Sequence, residues 1–442
     1  MAARRNRQFE AAVDAQRLAR QGLAAAQEAD DDAARAVRQA WQIAVLERGP
    51  GLGSDLVAAV LDRAVPAADT EPESVAAWWE TLSPAARDAL ELREWARLGN
   101  LDGIPYEVRI RANRVAISAA LEDELRRAPG LEKRVAELEE QLEEQIAEML
   151  VSGKLATQQA AGSVAGDLER ARADLAECES LGRWYQDLLT GVTRTEYPGG
   201  TELVQTGHQV VLFDPAGGRF AEVIGDLSVA TSVGVYVPGT GSAFGPDQGC
   251  YDRAADFLSR ADPPRSLAMV TFLGGPMPQS AAGNAPYNHY ATSIGPGLAR
   301  FVAGLDRAPG AMVTVLGHSY GGSVVGAAES AGMRADRILH VESAGIGPYV
   351  HELEDLPFPG TPRYSMTAPG DFIAATQGRN VGVLGHGADP DTFPGVVRLD
   401  TGRLIDGDLS SPKLQGWSSH SGVFTPGSTA WNNMLGVLTG RL

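Results

Sequence analysis

Two different patterns of apolar residues divide the chain near residue 200. Residues 1 to about 190 are rich in alanine, arginine, glutamate and leucine and hold few β-branched runs, which is typical of helices. From about residue 203, apolar runs of strand length alternate with glycine-rich turns and helical patterns. The pattern predicts a helical region over 1–190 and a mixed α/β domain over 203–442.

Within the helical region, apolar residues form two stripes at helical spacing. The first comprises Leu131, Val135, Leu138, Leu142, Ile146 and Met149, and the second comprises Val164, Leu168, Ala171, Leu175, Cys178, Leu181 and Trp184. Steps of three and four residues come close to a heptad repeat. Gly153 and the small residues at 160–163 separate the two stripes. We therefore expect an antiparallel, coiled-coil-like hairpin over about 131–184.

The second half contains eight apolar runs that predict strands. They are Gln209–Phe213, Phe220–Ile224, Val233–Val237, Leu267–Leu273, Met312–Leu316, Arg337–Val341, Arg363–Thr367 and Val396–Leu399. A proline- and glycine-containing turn at 214–218 joins the first two as a hairpin, whereas helical patterns separate the later ones. Helical connections imply a mostly parallel sheet. This layout favours an α/β-hydrolase fold over a Rossmann-like sheet, since no G-x-G-x-x-G follows the first strand.

The segment Gly317-His318-Ser319-Tyr320-Gly321 fits the pattern G-x-S-x-G. A predicted strand precedes it and small, helix-compatible residues follow it, so the serine is expected at a sharp strand-to-helix turn. A serine hydroxyl becomes a good nucleophile only when a base removes its proton and an acid orients that base. We predict that Ser319 is the nucleophile.

The acid is expected on the turn after a late strand of such a sheet. Asp371 meets this expectation because Pro369-Gly370 turns the chain just before it. Its competitors, all in loops further along the chain, are Asp389, Asp391, Asp400, Asp406 and Asp408.

The base is expected on the loop before the final helix. His420 lies after the last predicted strand and before a helical pattern at 428–438. His386, in a glycine-rich loop, is its rival, whereas His340 lies inside a predicted strand and is expected to be packed and neutral. The favoured base is His420.

A tetrahedral intermediate of acyl transfer needs two backbone N–H donors for its oxyanion. One is expected from Tyr320, directly after the nucleophile. The other is expected from the glycine-containing loop after the third predicted strand, where we favour the amide of Thr240 and keep Gly239 and Gly241 as alternatives.

Several segments together resemble the actinobacterial α/β-hydrolase family that was long catalogued as a domain of unknown function. The resemblance spans roughly 75–440 and rests on WWETLSP, GNLDGIPYEVRIRANR, VYVPGTGS, VTVLGHSYGG, APGDFI and the His-Ser pair at 420–421. It implies a triad of Ser319, Asp371 and His420. Residues 342–345, Glu-Ser-Ala-Gly, depart from the Gly-Ser-Pro-Gly expected there, which affects the predicted shape of the pocket.

The resemblance also implies that GNLDGIPYEVRIRANR belongs to the hydrolase unit although it precedes the sheet. Asp102, Arg109 and Asn113 then have two interpretations. They form a polar cover over the active site, or they cap and tie two helices.

Composition and charge indicate which binding partners and which cellular location are expected. The 442 residues carry a formal net charge of −18, which argues against a nucleic-acid partner. Two cysteines do not make a disulfide framework or a metal motif. We find no apolar run long enough to span a membrane and no signal peptide, so a cytoplasmic protein is expected, with export without a cleaved signal as the alternative.

The predicted activity is that of a serine hydrolase, an esterase or lipase acting on a small acyl ester or lipid, with neither metal nor organic cofactor. Its apolar pocket is expected to include Phe244, Phe272, Met277 and Tyr287, with the loop over 274–296 as a lid. Acyltransferase, thioesterase and peptidase reactions use the same triad. A non-catalytic interaction protein is the alternative from another class, and the helical region is also the predicted interface of a homo-oligomer.

Overall fold

The computed structural model describes residues 65–442 except 154, 198–199 and 247, and this part of the chain begins with helices. They are α1 (Pro72–Thr81), α2 (Pro84–Arg93), α3 (Trp95–Leu98), α4 (Tyr106–Ser152) and α5 (Leu155–Thr190). Gly153 ends α4 in the left-handed conformation that glycine adopts readily, with φ of 60°. The predicted helical character of residues 1–64 lies outside the described residues.

Helices α4 and α5 lie antiparallel to one another. Their distant part has a small apolar core of its own, in which Leu138 and Leu168 are buried. An ion pair joins Arg172 to Glu139 at 2.6 Å, and the Cys178 thiol contacts the Glu124 carbonyl oxygen at 3.3 Å. Helix α4 begins well before the predicted stripe and continues through Pro129.

A two-stranded antiparallel hairpin, β1 (Val192–Tyr197) and β2 (Thr201–Thr206), follows the helices and was not predicted. The strands of the main sheet come next along the chain. They are β3 (Gln209–Asp214), β4 (Arg219–Ile224), β5 (Ser232–Val237), β6 (Leu267–Leu273), β7 (Met312–His318), β8 (Arg337–Val341), β9 (Arg363–Met366) and β10 (Val396–Arg398).

The main sheet has the spatial order β10-β9-β8-β7-β5-β6-β4-β3. Strand β4 pairs antiparallel with both β3 and β6, and the remaining neighbours are parallel. All eight predicted strands are present within a residue or two of their expected bounds. The predicted α/β-hydrolase fold, with a mostly parallel sheet and a preceding helical region, is confirmed.

Helices cover both faces of this sheet, and each face has its own apolar core. They are α6 (Gln248–Leu258), α7 (His289–Ala303), α8 (Tyr320–Ser330), α9 (Ser419–Gly422) and α10 (Thr429–Leu438), with 3₁₀ turns at Leu353–Asp355 and Phe372–Ala375. Side chains of β5, β6 and β7 are almost entirely buried, as expected for central strands covered on both faces. The carboxyl ends of these parallel strands meet at one edge, where ligands bind in open α/β sheets.

The predicted loop over 274–296 is wrong in its second part. Helix α7 begins at His289, and its residues Ala291 and Ile294 are buried in the core. The helix accommodates Pro296 near its middle. The proline therefore did not mark the end of a loop, and the open segment before α7 is shorter than predicted.

Asp102, Arg109 and Asn113 tie α4 to its neighbours. The Arg109 guanidinium is fully buried and bonds to Asp102 at 2.9 Å. The Asn113 side-chain amide donates to the carbonyl oxygens of Gly99 and of Val210 in β3, at 2.9 and 3.1 Å. These contacts fit the second interpretation, in which the three residues link helices and strand rather than cover a site.

None of the helices in the described part of the chain combines the length and the apolar character that a membrane span requires.

Candidate active site

Ser319 lies in a sharp turn between β7 and α8. Its backbone adopts φ of 55° and ψ of −123°, a conformation that costs free energy for any residue with a side chain. Its amide donates to the Val341 carbonyl oxygen at 3.0 Å, which secures the turn against β8. Strand β7 ends and helix α8 begins at the carboxyl edge of the sheet, so the side chain of Ser319 is held at this edge.

Glycines beside Ser319 permit this turn to pack closely. A Cβ on Gly321 would lie 2.2 Å from the carbonyl oxygen of Val237, and one on Gly317 would lie 2.6 Å from that of Gly321. Both distances are far inside van der Waals contact. The strand-turn-helix context predicted for the G-x-S-x-G segment is thus present.

His420 and Asp371 complete a chain of hydrogen bonds from Ser319. The His420 Nε2 atom is 2.9 Å from the Ser319 Oγ, and Nδ1 lies 3.1 and 3.2 Å from the two carboxylate oxygens of Asp371. The Asp371 carboxylate is fully buried and also accepts from the Ile373 amide at 2.8 Å. The sequence-predicted serine, base and acid are brought together from three separate segments.

His318, which lies within the G-x-S-x-G segment beside Ser319, holds the backbone of His420. Its Nε2 donates to the His420 carbonyl oxygen at 2.8 Å. Burial, together with the nearby His420, lowers the pKa of His318 to about 3, so the ring is neutral and its single N–H is directed at that oxygen. The Phe372 ring packs against the His420 ring on another side, with centroids 4.5 Å apart.

The rival histidines have other partners. His386 Nδ1 is 3.0 Å from Ser323 Oγ, and its Nε2 donates to the Ala285 carbonyl oxygen at 2.9 Å. Burial lowers the pKa of His386 to about 4, and burial with the Arg363 charge lowers the pKa of His340 to about 3. Both rings are buried and neutral, as predicted for His340.

Several rival aspartates make contacts of their own elsewhere. Asp391 pairs with Arg398 at 3.2 Å, Asp406 accepts from Asn432 at 3.0 Å, and Asp408 accepts from the Ser410 amide at 2.8 Å. Asp389 caps a turn through the Asp391 amide, and Asp400 does the same for Gly402.

The loop after β5 lies directly against the nucleophile. A Cβ on Gly239 would be 2.7 Å from the Ser319 Cβ and 3.2 Å from its Oγ. The Gly241 amide already donates to the Pro278 carbonyl oxygen at 2.8 Å, which favours Gly239 and Thr240 as oxyanion donors. Tyr320 is the first residue of α8, where backbone N–H groups have no partner within the helix.

A cavity opens beside this loop, and its wall does not include Ser319, His420 or Asp371. Its wall includes Trp184, His208, Phe220, Glu222, Ser242 and Phe272. Trp184 is part of α5 and contacts Phe244 at 5.2 Å between ring centroids. Of the predicted apolar lining, Phe272 therefore borders the cavity and Phe244 packs behind it, whereas Met277 is buried in the core and Tyr287 is 42% exposed.

The cavity wall also has a charged part. His208 Nδ1 is 2.6 Å from a Glu222 carboxylate oxygen, and its Nε2 is 3.5 Å from Asp187. Burial acts to lower the pKa of His208, but the hydrogen bond and charge of Glu222 outweigh it and raise that pKa.

Glu342, a residue that sequence reasoning did not assign to the site, lies next to the acid and the base. It follows β8, is fully buried and has a left-handed φ of 45°. Its only signal in the sequence is the departure at 342–345 from the expected run. One carboxylate oxygen of Glu342, one of Asp371 and a ring nitrogen of His420 lie within 4.8 Å of one another.

Three such donors can also hold a metal ion. Here both ring nitrogens of His420 already contact Ser319 and Asp371. The donor arrangement thus fits proton transfer from the Ser319 hydroxyl to His420, with Asp371 orienting the ring.

Comparison with known proteins supports the class that the sheet topology indicates. A family model described as an alpha/beta hydrolase matches residues 214–380, a range that contains Ser319 and Asp371 and ends before His420. The match agrees with the α/β-hydrolase fold of the sheet. No curated protein matches the chain.

Solved structures with a similar fold share little sequence with the chain. A dienelactone hydrolase-like promiscuous phosphotriesterase, P91, from metagenomic libraries is 12% identical, with 56% of this chain and 97% of that chain covered and a TM-score of 0.32. The esterase domain of a Rhodothermus marinus protein is also 12% identical, covering 48% and 87% at a TM-score of 0.24. XC6422 from Xanthomonas campestris, described as a serine hydrolase without a lid, is 12% identical, covering 47% and 82% at a TM-score of 0.25.

Proposed function

We propose that the protein is a serine hydrolase that cleaves acyl esters through Ser319, His420 and Asp371. The observation that carries the proposal is the continuous chain of contacts from the Ser319 hydroxyl through the His420 ring to the buried Asp371 carboxylate. A strained turn at the carboxyl edge of an α/β-hydrolase sheet is where such a nucleophile is expected. The strained turn together with the contacts to His420 and Asp371 therefore supports a catalytic role for Ser319.

The reaction proceeds in two acyl transfers. The Ser319 Oγ attacks the ester carbonyl carbon while His420 Nε2 takes its proton, and the resulting imidazolium is stabilised by Asp371. The tetrahedral oxyanion accepts hydrogen bonds from the Tyr320 amide and from the amide of Gly239 or Thr240. Its collapse breaks the bond to the alcohol oxygen, which takes the proton from His420. Water then repeats the sequence on the acyl-enzyme and releases the acid.

The proposed substrate is an acyl ester or a lipid. The cavity beside the oxyanion loop combines aromatic side chains, Trp184, Phe220 and Phe272, with the polar pair His208 and Glu222. An apolar wall favours an acyl chain, and a few polar groups fix its orientation. Trp184 belongs to α5, so the proposed catalytic domain over 203–442 shares this wall with the preceding helical region.

Hydrolysis of a p-nitrophenyl ester series of increasing acyl length tests the proposal. We expect turnover by the wild type and its loss in Ser319→Ala and in His420→Ala. Ser323→Ala is the matched control, because Ser323 is a buried serine in the same turn-and-helix segment whose hydroxyl contacts His386 instead. Parallel assays with a thioester, an anilide and an added alcohol acceptor distinguish thioesterase, peptidase and acyltransferase reactions. Absence of turnover in all of them would favour the non-catalytic interaction protein.

A further inference from the structure

Glu342 is a buried acid beside the proposed triad that the mechanism above does not use. It emerges from the carboxyl end of β8, between β7, which leads to Ser319, and β9, which leads to Asp371. Its left-handed φ is unusual for a residue with a side chain and directs it to the sheet edge at a cost in free energy. A position that is both strained and charged suggests a role other than packing.

The two carboxyl oxygens of Glu342 have different surroundings. Oε1 accepts a hydrogen bond from the Ala368 amide at 3.0 Å. Oε2 is buried and has no hydrogen-bond partner among the described residues. A buried carboxylate oxygen without a donor is costly, whereas a protonated one becomes a donor and needs only an acceptor.

The groups that face Glu342 are mainly acidic. Asp371, on the turn after β9, is the nearest charge, and Asp391, further along the chain, adds to it. His420 in α9 is the third member of the cluster. On its own strand, His340 is directed away to Ser343 at 3.3 Å. Two ionised carboxylates this close, out of water, repel each other strongly, so one of them is expected to keep a proton.

We infer that Glu342 carries a proton on Oε2 while Asp371 is ionised, and that this neutral acid is a positioning residue that donates to Asp371 and holds it against His420. The inference rests on the proposed function, because it assigns a partner to the triad acid. Each of the two acids accepts from one backbone amide, but Asp371 is the one that also contacts the His420 ring, so the negative charge is better stabilised there.

Electrostatics agree with this assignment. Burial, and then the charge of Asp371, raise the pKa of Glu342 to about 8. Glu342 is therefore neutral at pH 7 and ionises in mildly alkaline solution. Ionisation releases its proton to solvent, removes the donor to Asp371 and replaces it with a like charge, which displaces Asp371 from His420.

The pH dependence of labelling by a fluorophosphonate probe tests the positioning role. For the wild type we expect the rate to fall as the pH rises above about 8, following the ionisation of Glu342. Glu342→Gln keeps a neutral donor, so it should label within about threefold of the wild type at neutral pH and lose the alkaline fall. Glu342→Leu has no donor and should label at least about tenfold more slowly, the cost of a lost hydrogen bond to a charged group.

Asp256→Asn is the matched control, since Asp256 is another partly buried acid with a raised pKa and is not among the charges that act on Glu342. It should keep the alkaline fall of the wild type. An identical fall in the wild type and Glu342→Gln would overturn the inference, as would wild-type rates in Glu342→Leu.

A measurement that needs no activity separates this inference from the proposed function. In protein labelled with ¹³C at the glutamate carboxyl, the resonance that Glu342→Gln removes should titrate near pH 8. Titration of that resonance in the ordinary range of a glutamate would overturn the inference whether or not the probe reacts. No labelling in any variant, with titration near pH 8, would reject the proposed function and the positioning role but keep the proton on Glu342.

Discussion

At the scale of single residues, the site depends on groups whose protonation is determined by burial. His318 is neutral and holds the backbone of His420, and Glu342 is placed to hold a proton beside Asp371. Around the Ser319 hydroxyl, neighbours are therefore proposed to orient both His420 and Asp371. A preorganised arrangement of this kind is what lowers the barrier of acyl transfer.

A substitution of Asp371 that keeps the size of the side chain but removes its charge should show how much the charge contributes to the reactivity of Ser319. Asp371→Asn keeps the size of the side chain but presents an amide to His420 Nδ1, which favours the wrong tautomer of the ring. We expect the rate of labelling at Ser319 to fall by about 10⁴-fold with little change in melting temperature. Asp408→Asn, in an exposed loop, is the control and should label like the wild type. Equal rates for the two variants would show that Asp371 has no role.

Position along the chain predicted Ser319, Asp371 and His420, which the structure brings together, because the fold fixes the order in which nucleophile, acid and base are expected. It did not select Glu342 or His318. Their roles follow from burial and from contacts between distant segments, which spacing does not encode. The unusual glutamate at the start of 342–345 was the single visible signal.

At the scale of secondary-structure elements, the turn and helix α8 fit together only because glycines remove side chains at their contacts. A Cβ on Gly326 would lie 1.7 Å from the Ile346 carbonyl oxygen and 2.5 Å from the Cα of Gly347. Since both are backbone atoms, neither can move aside without shifting the loop after β8. That loop begins with Glu342, so the packing of α8 and the position of the buried acid are linked.

Gly326→Ala should therefore destabilise the protein. We expect the free energy of unfolding to fall by about 1–3 kcal/mol, the usual cost of overpacking a core. Gly297→Ala in α7 is the matched control, since nothing lies within 4 Å of its added Cβ. There, alanine should raise the free energy of unfolding by up to about 1 kcal/mol through helix propensity. Urea denaturation measures both, and similar values for the two variants would contradict the packing described for α8.

The elements that were predicted well are those whose residues are almost entirely buried. The strands of the main sheet are continuous apolar runs between turn residues, and all eight were found in the sequence. The β1–β2 hairpin was missed because strands such as Val192–Tyr197 are largely polar. The beginning of helix α7 was predicted as loop, although buried residues on both sides of Pro296 belong to the helix.

At the scale of the whole molecule, three buried histidines couple stability to pH. The pKa of His318 and of His340 is lowered to about 3 and that of His386 to about 4, against 6.5 in the unfolded chain. Below pH 6.5 the unfolded state therefore binds more protons, and stability that is fully present above this value is lost as the pH falls. Glu342, whose pKa is raised from 4.5 to about 8, has the opposite effect through one proton, because the stability that it contributes is lost as the pH rises.

We therefore expect the free energy of unfolding to decrease between about pH 6.5 and pH 5, by up to about 1.4 kcal/mol per pH unit for each proton taken up. Denaturation at a series of pH values measures this slope. His386→Gln should reduce it, and His351→Gln, at an exposed loop position, should leave it unchanged. The same slope in both variants would contradict the assignment of His386 as a buried, neutral residue.

The distant part of the α4–α5 hairpin is separate from the proposed catalytic centre. Its own apolar core lies apart from the cluster in which Tyr185 and Leu188 meet Phe213 of the sheet. The hairpin tip exposes apolar side chains, with Val151 at 90% and Leu150 at 77%. An interface between copies of the chain through this region remains a prediction.

Replacing residues 131–174 by a short flexible linker tests whether the distant part of the hairpin is separate from the proposed catalytic centre and whether it forms an interface between copies of the chain. We expect labelling of Ser319 at the wild-type rate, because the root of the hairpin and Trp184 are retained. Light scattering should show a monomer for the shortened chain and a larger assembly for the full chain. Loss of labelling would contradict the separation of the two parts, and an unchanged assembly would contradict the predicted interface.

The most direct test of the central claim is identification of the residue that a fluorophosphonate probe modifies in the full chain. We expect a single adduct on the peptide that contains Ser319, absent from Ser319→Ala and almost absent from His420→Ala. An adduct on another residue, or none in a correctly folded protein, would contradict it.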